Sequence, residues 1–128
     1  MPARPPRLKV RRDFQRVAGK GQRAARPGLV LQALPVAGGD LRVGFTVTKK
    51  IGNAVVRNRT KRRLREAARL MLGDGQAQGF DLVLIGREAT AKRPWQTLLG
   101  DLRGVLKQAG VTESGRAAEP AEAAKAGA

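Results

Sequence analysis

At 128 residues the chain has room for one domain with a modest core, and it carries a formal charge of +16, from 26 Lys and Arg against 10 Asp and Glu. It contains no Cys, no His and no Tyr, which excludes disulfides, thiolate metal sites and any catalysis through those side chains. So large a positive excess attracts polyanions: nucleic acid first, an anionic membrane second, an acidic protein third.

Arg outnumbers Lys, and Arg gives planar, bidentate contacts to phosphate and stacks on bases, a bias that suits RNA. Serine is nearly absent (Ser114), so Thr, Lys and carboxylates are the main remaining catalytic candidates. No apolar run approaches the roughly 18 residues that span a bilayer. The start holds Arg4, Arg7 and Lys9 among Pro2, Pro5 and Pro6, with no apolar stretch behind them. Neither a secretory signal nor a membrane anchor is expected, and the location expected is cytoplasmic.

Residues 1–7 read as a disordered basic N-terminus, 8–109 as the folded domain and 110–128 as a disordered tail rich in Ala, Glu and Gly. The first predicted element is a short helix from Leu8 to Ala18, ended by Gly19 and Gly21. Gln22 to Pro27 reads as a polar loop. Leu29 to Leu34 is a strand between Pro27-Gly28 and Pro35, and Gly38-Gly39-Asp40 signals a hairpin turn. In the next strand Leu41, Val43, Phe45 and Val47 alternate with Arg42, Gly44, Thr46 and Thr48. One face therefore belongs to a core and the other is shallow and open to a ligand.

Gly52 permits an unusual backbone angle and Asn53 is a good helix N-cap. A helix is predicted from Ala54 to about Leu72, stopping at Gly73, with Val56, Thr60, Leu64, Ala67, Ala68 and Met71 on one packed stripe. Asp74-Gly75-Gln76 begins a loop. Phe80 to Gly86 is a strand apolar on both faces apart from Asp81, hence central. Pro94 opens a last helix whose apolar face includes Trp95, Leu98, Leu99, Leu102, Val105 and Leu106; Trp95 is assigned to the core. Asp81 and Asp101 lack the spacing of a metal pair and are expected at the solvated surface. The order of elements gives an α+β fold, a two-layer α/β sandwich with a small mixed sheet and helices packed on it.

The segment Leu41 to Arg65 holds Arg42, Lys49, Lys50, Arg57, Arg59, Lys61, Arg62, Arg63 and Arg65, and no acid. On a 100° wheel Arg57, Lys61 and Arg65 share one line, with Asn58 and Arg62 beside it. Like charges at this spacing destabilise an isolated helix, and a bound polyanion relieves the repulsion. The acid-free, one-sided run points to nucleic acid rather than to a merely solvated face. Charge alone does not separate RNA from DNA.

From Arg42 to Glu66 the sequence RVGFTVTKKIGNAVVRNRTKRRLRE resembles the signature of the bacterial ribonuclease P protein family, centred on Arg57-Asn58-Arg59 after the Lys49-Lys50-Ile51-Gly52-Asn53-Ala54 turn. A looser resemblance covers about residues 8–108. It implies a left-handed strand–helix–strand crossover, where general rules predict a right-handed one. It implies an accessory protein subunit of an endoribonuclease that removes the 5′ leader of precursor tRNA, its partners being the catalytic RNA and precursor tRNA, with no membrane and no small-molecule substrate. The RNA is expected to hold the catalytic Mg²⁺, with no metal and no catalytic residue on this chain. The resemblance assigns Arg57, Asn58, Arg59, Lys61, Arg62 and Arg65, with Lys49 and Lys50, to RNA binding. It assigns Phe14, Arg42, Thr46, Thr48 and Arg87 to a leader cleft, which Lys50 also faces. Two positions depart from the family pattern: Ala18 replaces a second aromatic, which weakens stacking, and Glu88 replaces a basic residue beside Arg87. The rival readings are a ribosome-associated or general RNA-binding module and, less compatible with the residue content, an intrinsic nuclease.

Overall fold

A computed structural model describes residues 5–37, 39–73 and 79–111. Its elements are α1 (Arg11–Lys20), β1 (Gln22–Arg26), β2 (Leu29–Pro35), β3 (Arg42–Thr46), a 3₁₀ turn (Lys49–Ile51), α2 (Ala54–Leu72), β4 (Phe80–Gly86) and α3 (Trp95–Gln108). The four strands form one mixed sheet in the order β1-β2-β4-β3, antiparallel except for the β3–β4 pair.

Alternation within the strands sorts the core into two. Leu29, Leu31, Val43, Leu82 and Leu84 face α2 and α3, where they meet Leu64, Ala67, Leu98, Leu102 and Val105. Val83, Ile85 and Leu34 face the other way and are covered by Leu8, Phe14 and Val17 of α1 and its approach. The main sandwich is thus sheet against α2 and α3, with α1 lying on the opposite face. β4, apolar on both sides, is central as its composition predicts.

Val43 fixes the hand of the β3–α2–β4 crossover. Its side chain lies in the α2–α3 core. Its N–H donates to Pro6 O (2.9 Å) and its C=O accepts from Leu8 N (3.1 Å), on the side away from β4. For an L-residue seen from its side-chain face with the chain running upward, N–H and C=O point right. β4 therefore lies to the left, and a helix crossing in front makes the connection left-handed, against the usual rule.

Several sequence expectations are corrected. Gln22–Arg26 is a strand, not a polar loop: only Ala24 is buried, and the Pro27-Gly28 turn folds the segment onto β2 as an edge. The turn signal near Gly39 does not make a hairpin, because β4 inserts between β2 and β3; Gly38 lies outside the described residues, as does the Asp74-Gly75-Gln76 loop. The first helix starts later than predicted because Leu8 is extended beside Val43. The N-terminal boundary also moves: Pro6 and Arg7 pair with β3, and Arg7 sits over the Phe45 ring, 5.8 Å from its centroid. Val111 is buried in the core. The rest of both expected tails, 1–4 and 112–128, lies outside the described residues.

Candidate nucleic-acid interface

The basic helix is introduced by a turn built from Gly52, Asn53 and Arg57. Gly52 has φ +149°, a region that L side chains avoid. Asn53 then caps α2, its side-chain oxygen accepting from Val56 N at 3.0 Å. Arg57 closes the turn, Nη1 donating to Gly52 O at 2.9 Å. Thr60, Leu64, Ala67, Ala68 and Leu72 are buried against the sheet and α3. Thr60 is tolerated there because its hydroxyl donates to Val56 O at 2.8 Å.

Packing that stripe leaves the predicted RNA set on the outer surface. Asn58, Arg59 and Arg62 are exposed, Arg57, Lys61 and Arg65 are partly buried at the flank, and Lys49 and Lys50 are exposed in the turn before the helix. The first turn of α2 has no acid, so its positive dipole end adds to Lys49, Lys50 and Arg57. All of the array except Lys49 and Lys50 is carried by α2 itself.

Arg63 behaves differently. Its Nη1 donates to Thr90 O at 2.6 Å and its Nη2 to Arg93 O, and its guanidinium lies 5.7 Å from the centroid of the Trp95 ring. Burial, with Arg59 nearby, lowers its pKa, though an arginine stays charged at neutral pH. Trp95 itself is only partly buried, against the core assignment: it packs on the core while also lining an open depression beside α2.

The opposite face of the sheet carries the predicted cleft residues. Phe14 of α1 lies on Gly44 of β3; a Cβ at Gly44 would come within 2.5 Å of the ring. Glycine is what lets the ring rest on the strand, where Phe14 packs, partly buried, on the cluster of Leu8, Val17 and Val83. Thr46, partly exposed, and Thr48, exposed, follow at the C-terminal end of β3. Arg87 is exposed just past the neighbouring end of β4, its Nη1 donating to Arg26 O at 3.1 Å. Glu88 beside it and Ala18 on α1 are both exposed. Thr46, Thr48, Lys49, Lys50 and Arg87 thus gather at one end of the sheet, and Phe14 stands further along the same face.

Arg42 is not free among them. Its guanidinium is forked onto Asp81, whose carboxylate also accepts from Arg16 Nη2 at 2.6 Å. Asp13 approaches both arginines, at 3.4 and 3.5 Å. Donating hydrogen bonds to Asp81 raises the Arg42 pKa, against a smaller opposing effect of burial. The expectation of surface solvation is wrong for both aspartates. Asp81 is fully buried, and Asp101 is buried where it accepts from Gly28 N (3.0 Å) and Arg93 Nε (2.7 Å). The signal was Asp81's place in an otherwise apolar central strand, where a carboxylate needs a cationic partner. Among the described residues no cluster of three or more Asp and Glu is placed to hold a metal ion.

A family model described as Ribonuclease P matches residues 2–110. The ribonuclease P protein component of Gluconacetobacter diazotrophicus is 57% identical over 106 residues, covering 82% of this chain and 91% of that protein. The one from Paramagnetospirillum magneticum is 49% identical, covering 97% of each chain. Among solved structures, the ribonuclease P protein of Staphylococcus aureus matches with TM-score 0.71 at 32% identity, covering 82% of this chain and 95% of that one. The Thermotoga maritima protein matches with TM-score 0.65 at 29% identity, covering 77% and 92%.

Proposed function

Since the chain belongs to the ribonuclease P protein family, we propose that it serves as the accessory subunit of a ribonuclease P holoenzyme, binding the catalytic RNA through α2 and the precursor-tRNA 5′ leader on the α1 face of the sheet. The observation that carries this reading is the acid-free basic surface from Lys49 to Arg65, displayed by a helix whose opposite stripe is fully committed to the core. Positive charge held there offsets phosphate repulsion when RNA folds against it, and so lowers the Mg²⁺ the RNA requires. Among the described residues Asp13, Asp81 and Asp101 are engaged by arginines, and no cluster of acids is placed to hold a metal ion. On this reading the metal ions and the hydrolytic step belong to the RNA, and the reaction takes place in the cytoplasm.

On the leader side, the Phe14 ring supplies a stacking surface, Thr46 and Thr48 supply hydroxyls, and Lys49, Lys50 and Arg87 supply charge. Arg42 contributes less directly, because its forked face is already occupied by Asp81. The test compares binding of precursor and mature tRNA by the holoenzyme. Precursor should bind more tightly than mature tRNA, and the preference should fall as the leader is shortened. Equal affinity for the two would remove the leader from the account.

A further inference from the structure

Beside α2 lies a depression of about 470 Å³ lined by Arg62, Arg63, Arg65, Glu66, Arg69 and Trp95. Its volume falls in the roughly 300–1,000 Å³ range of small-ligand sites. Three features set it apart from the rest of the basic surface. It contains the chain's single tryptophan. It contains Glu66, the first acid after the acid-free run. And its aromatic wall is rigid: Pro94, with φ −53°, starts α3 immediately before Trp95, while Arg63 is clamped over the ring by the carbonyls of Thr90 and Arg93.

We infer that this depression is a binding site for a single unstacked nucleotide of the catalytic RNA, its base stacked against the Arg63–Trp95 pair, its phosphate met by the exposed Arg62 and its Watson–Crick edge read by Glu66. The proposal rests on the RNA-binding role of α2 and extends that surface to the start of α3. Single-stranded bases stack on aromatic side chains and on guanidinium planes, and Arg63 with Trp95 presents both in a fixed arrangement. Little side-chain freedom remains to be lost on binding. A carboxylate only accepts hydrogen bonds, and it has lone pairs beyond the one that takes Arg69 Nε. It therefore favours a base with N–H donors on its pairing edge, guanine above all, which offers two side by side. The surrounding cations make the same carboxylate tolerable next to a phosphate.

With no other Trp and no Tyr in the chain, Trp95 fluorescence reads the site directly. The full-length protein is titrated with its ribonuclease P RNA. Stacking should quench the emission and shield Trp95 from acrylamide, and Trp95→Leu should weaken binding about 5- to 150-fold, the equivalent of one lost base stack. Uridine-rich oligonucleotides with one central guanosine should quench more than the same strands with inosine, a difference that Glu66→Gln should abolish. If the RNA binds with unchanged emission and unchanged acrylamide access, the site is not a nucleotide pocket, even though α2 binds RNA. If the unaltered protein does not bind the RNA at all, the underlying reading fails with it. The quenching arm needs no substitution, so it decides the matter even if Trp95→Leu does not fold.

Discussion

Asp81, buried near the start of the central strand β4, accepts both arms of the Arg42 fork: Nε to Oδ1 at 2.9 Å and Nη2 to Oδ2 at 2.8 Å. Arg16 from α1 adds a third bond. The carboxylate is thereby the point at which β4, β3 and α1 are tied together. Breaking a buried pair leaves uncompensated charge and costs roughly 3–5 kcal/mol. Arg42 and Arg16 are partly exposed and can turn toward water, so Asp81→Ala should fall at the low end of that range. Urea unfolding should show a lower midpoint with an unchanged m-value. An unchanged midpoint would mean that the network contributes nothing net.

Phe14 and Gly44 give a way to alter the cleft without touching α2. In Gly44→Ala the new methyl meets the Phe14 ring, and Leu8 Cβ at 3.2 Å limits the retreat. Overpacking of this kind costs about 1–3 kcal/mol. The ring should leave the strand, weakening precursor binding to the holoenzyme while affinity for the catalytic RNA stays the same. Equal loss of both affinities would show that the substitution acts through the whole fold.

The basic residues of α2 divide by what else they do. Arg59 and Arg62 are exposed, so replacing both by Ala should weaken RNA binding at least tenfold and leave thermal stability within about 0.5 kcal/mol. Arg57 differs, because its bond to the Gly52 carbonyl closes the turn. Arg57→Ala should lower RNA affinity and also cost about 1 kcal/mol of stability. Calorimetric unfolding of the three proteins alongside RNA titrations separates the two effects.

Binding of the catalytic RNA should be steeply salt-dependent. If about six phosphates are neutralised, log K falls against log salt with a slope of about −4 to −5. Fluorescence or filter-binding titrations between low and moderate salt measure it. The double variant at Arg59 and Arg62 should flatten the slope by between one and two units. A slope near zero in the unaltered protein would remove the electrostatic basis of the interface.

Where local chemistry and long-range packing agree, the sequence was sufficient. α2 runs from its Asn53 cap to Leu72 as its spacing predicts, because cap, stripe and terminal Gly73 all specify the same helix. The position of β4 followed from its double-sided apolar pattern. β1 was illegible because an edge strand with one buried Ala carries almost no apolar alternation; its pairing comes from β2 and the turn at Pro27-Gly28. The order of the strands and the left-handed crossover depend on β4 inserting between β2 and β3, a contact across the whole chain that no local signal records. The basic face of α2 was visible as a run of charge. The ionic partners of Arg42 and the clamp on Arg63 were not, since both join residues distant in sequence.

The most direct measurement is cleavage of precursor tRNA by the cognate ribonuclease P RNA at low Mg²⁺, with and without this protein. Cleavage at the mature 5′ end should occur when RNA and protein are both present and be absent with either alone. A protein that binds the RNA yet never restores cleavage would contradict the accessory-subunit account, and cleavage by the protein alone would contradict the placement of the chemistry in the RNA.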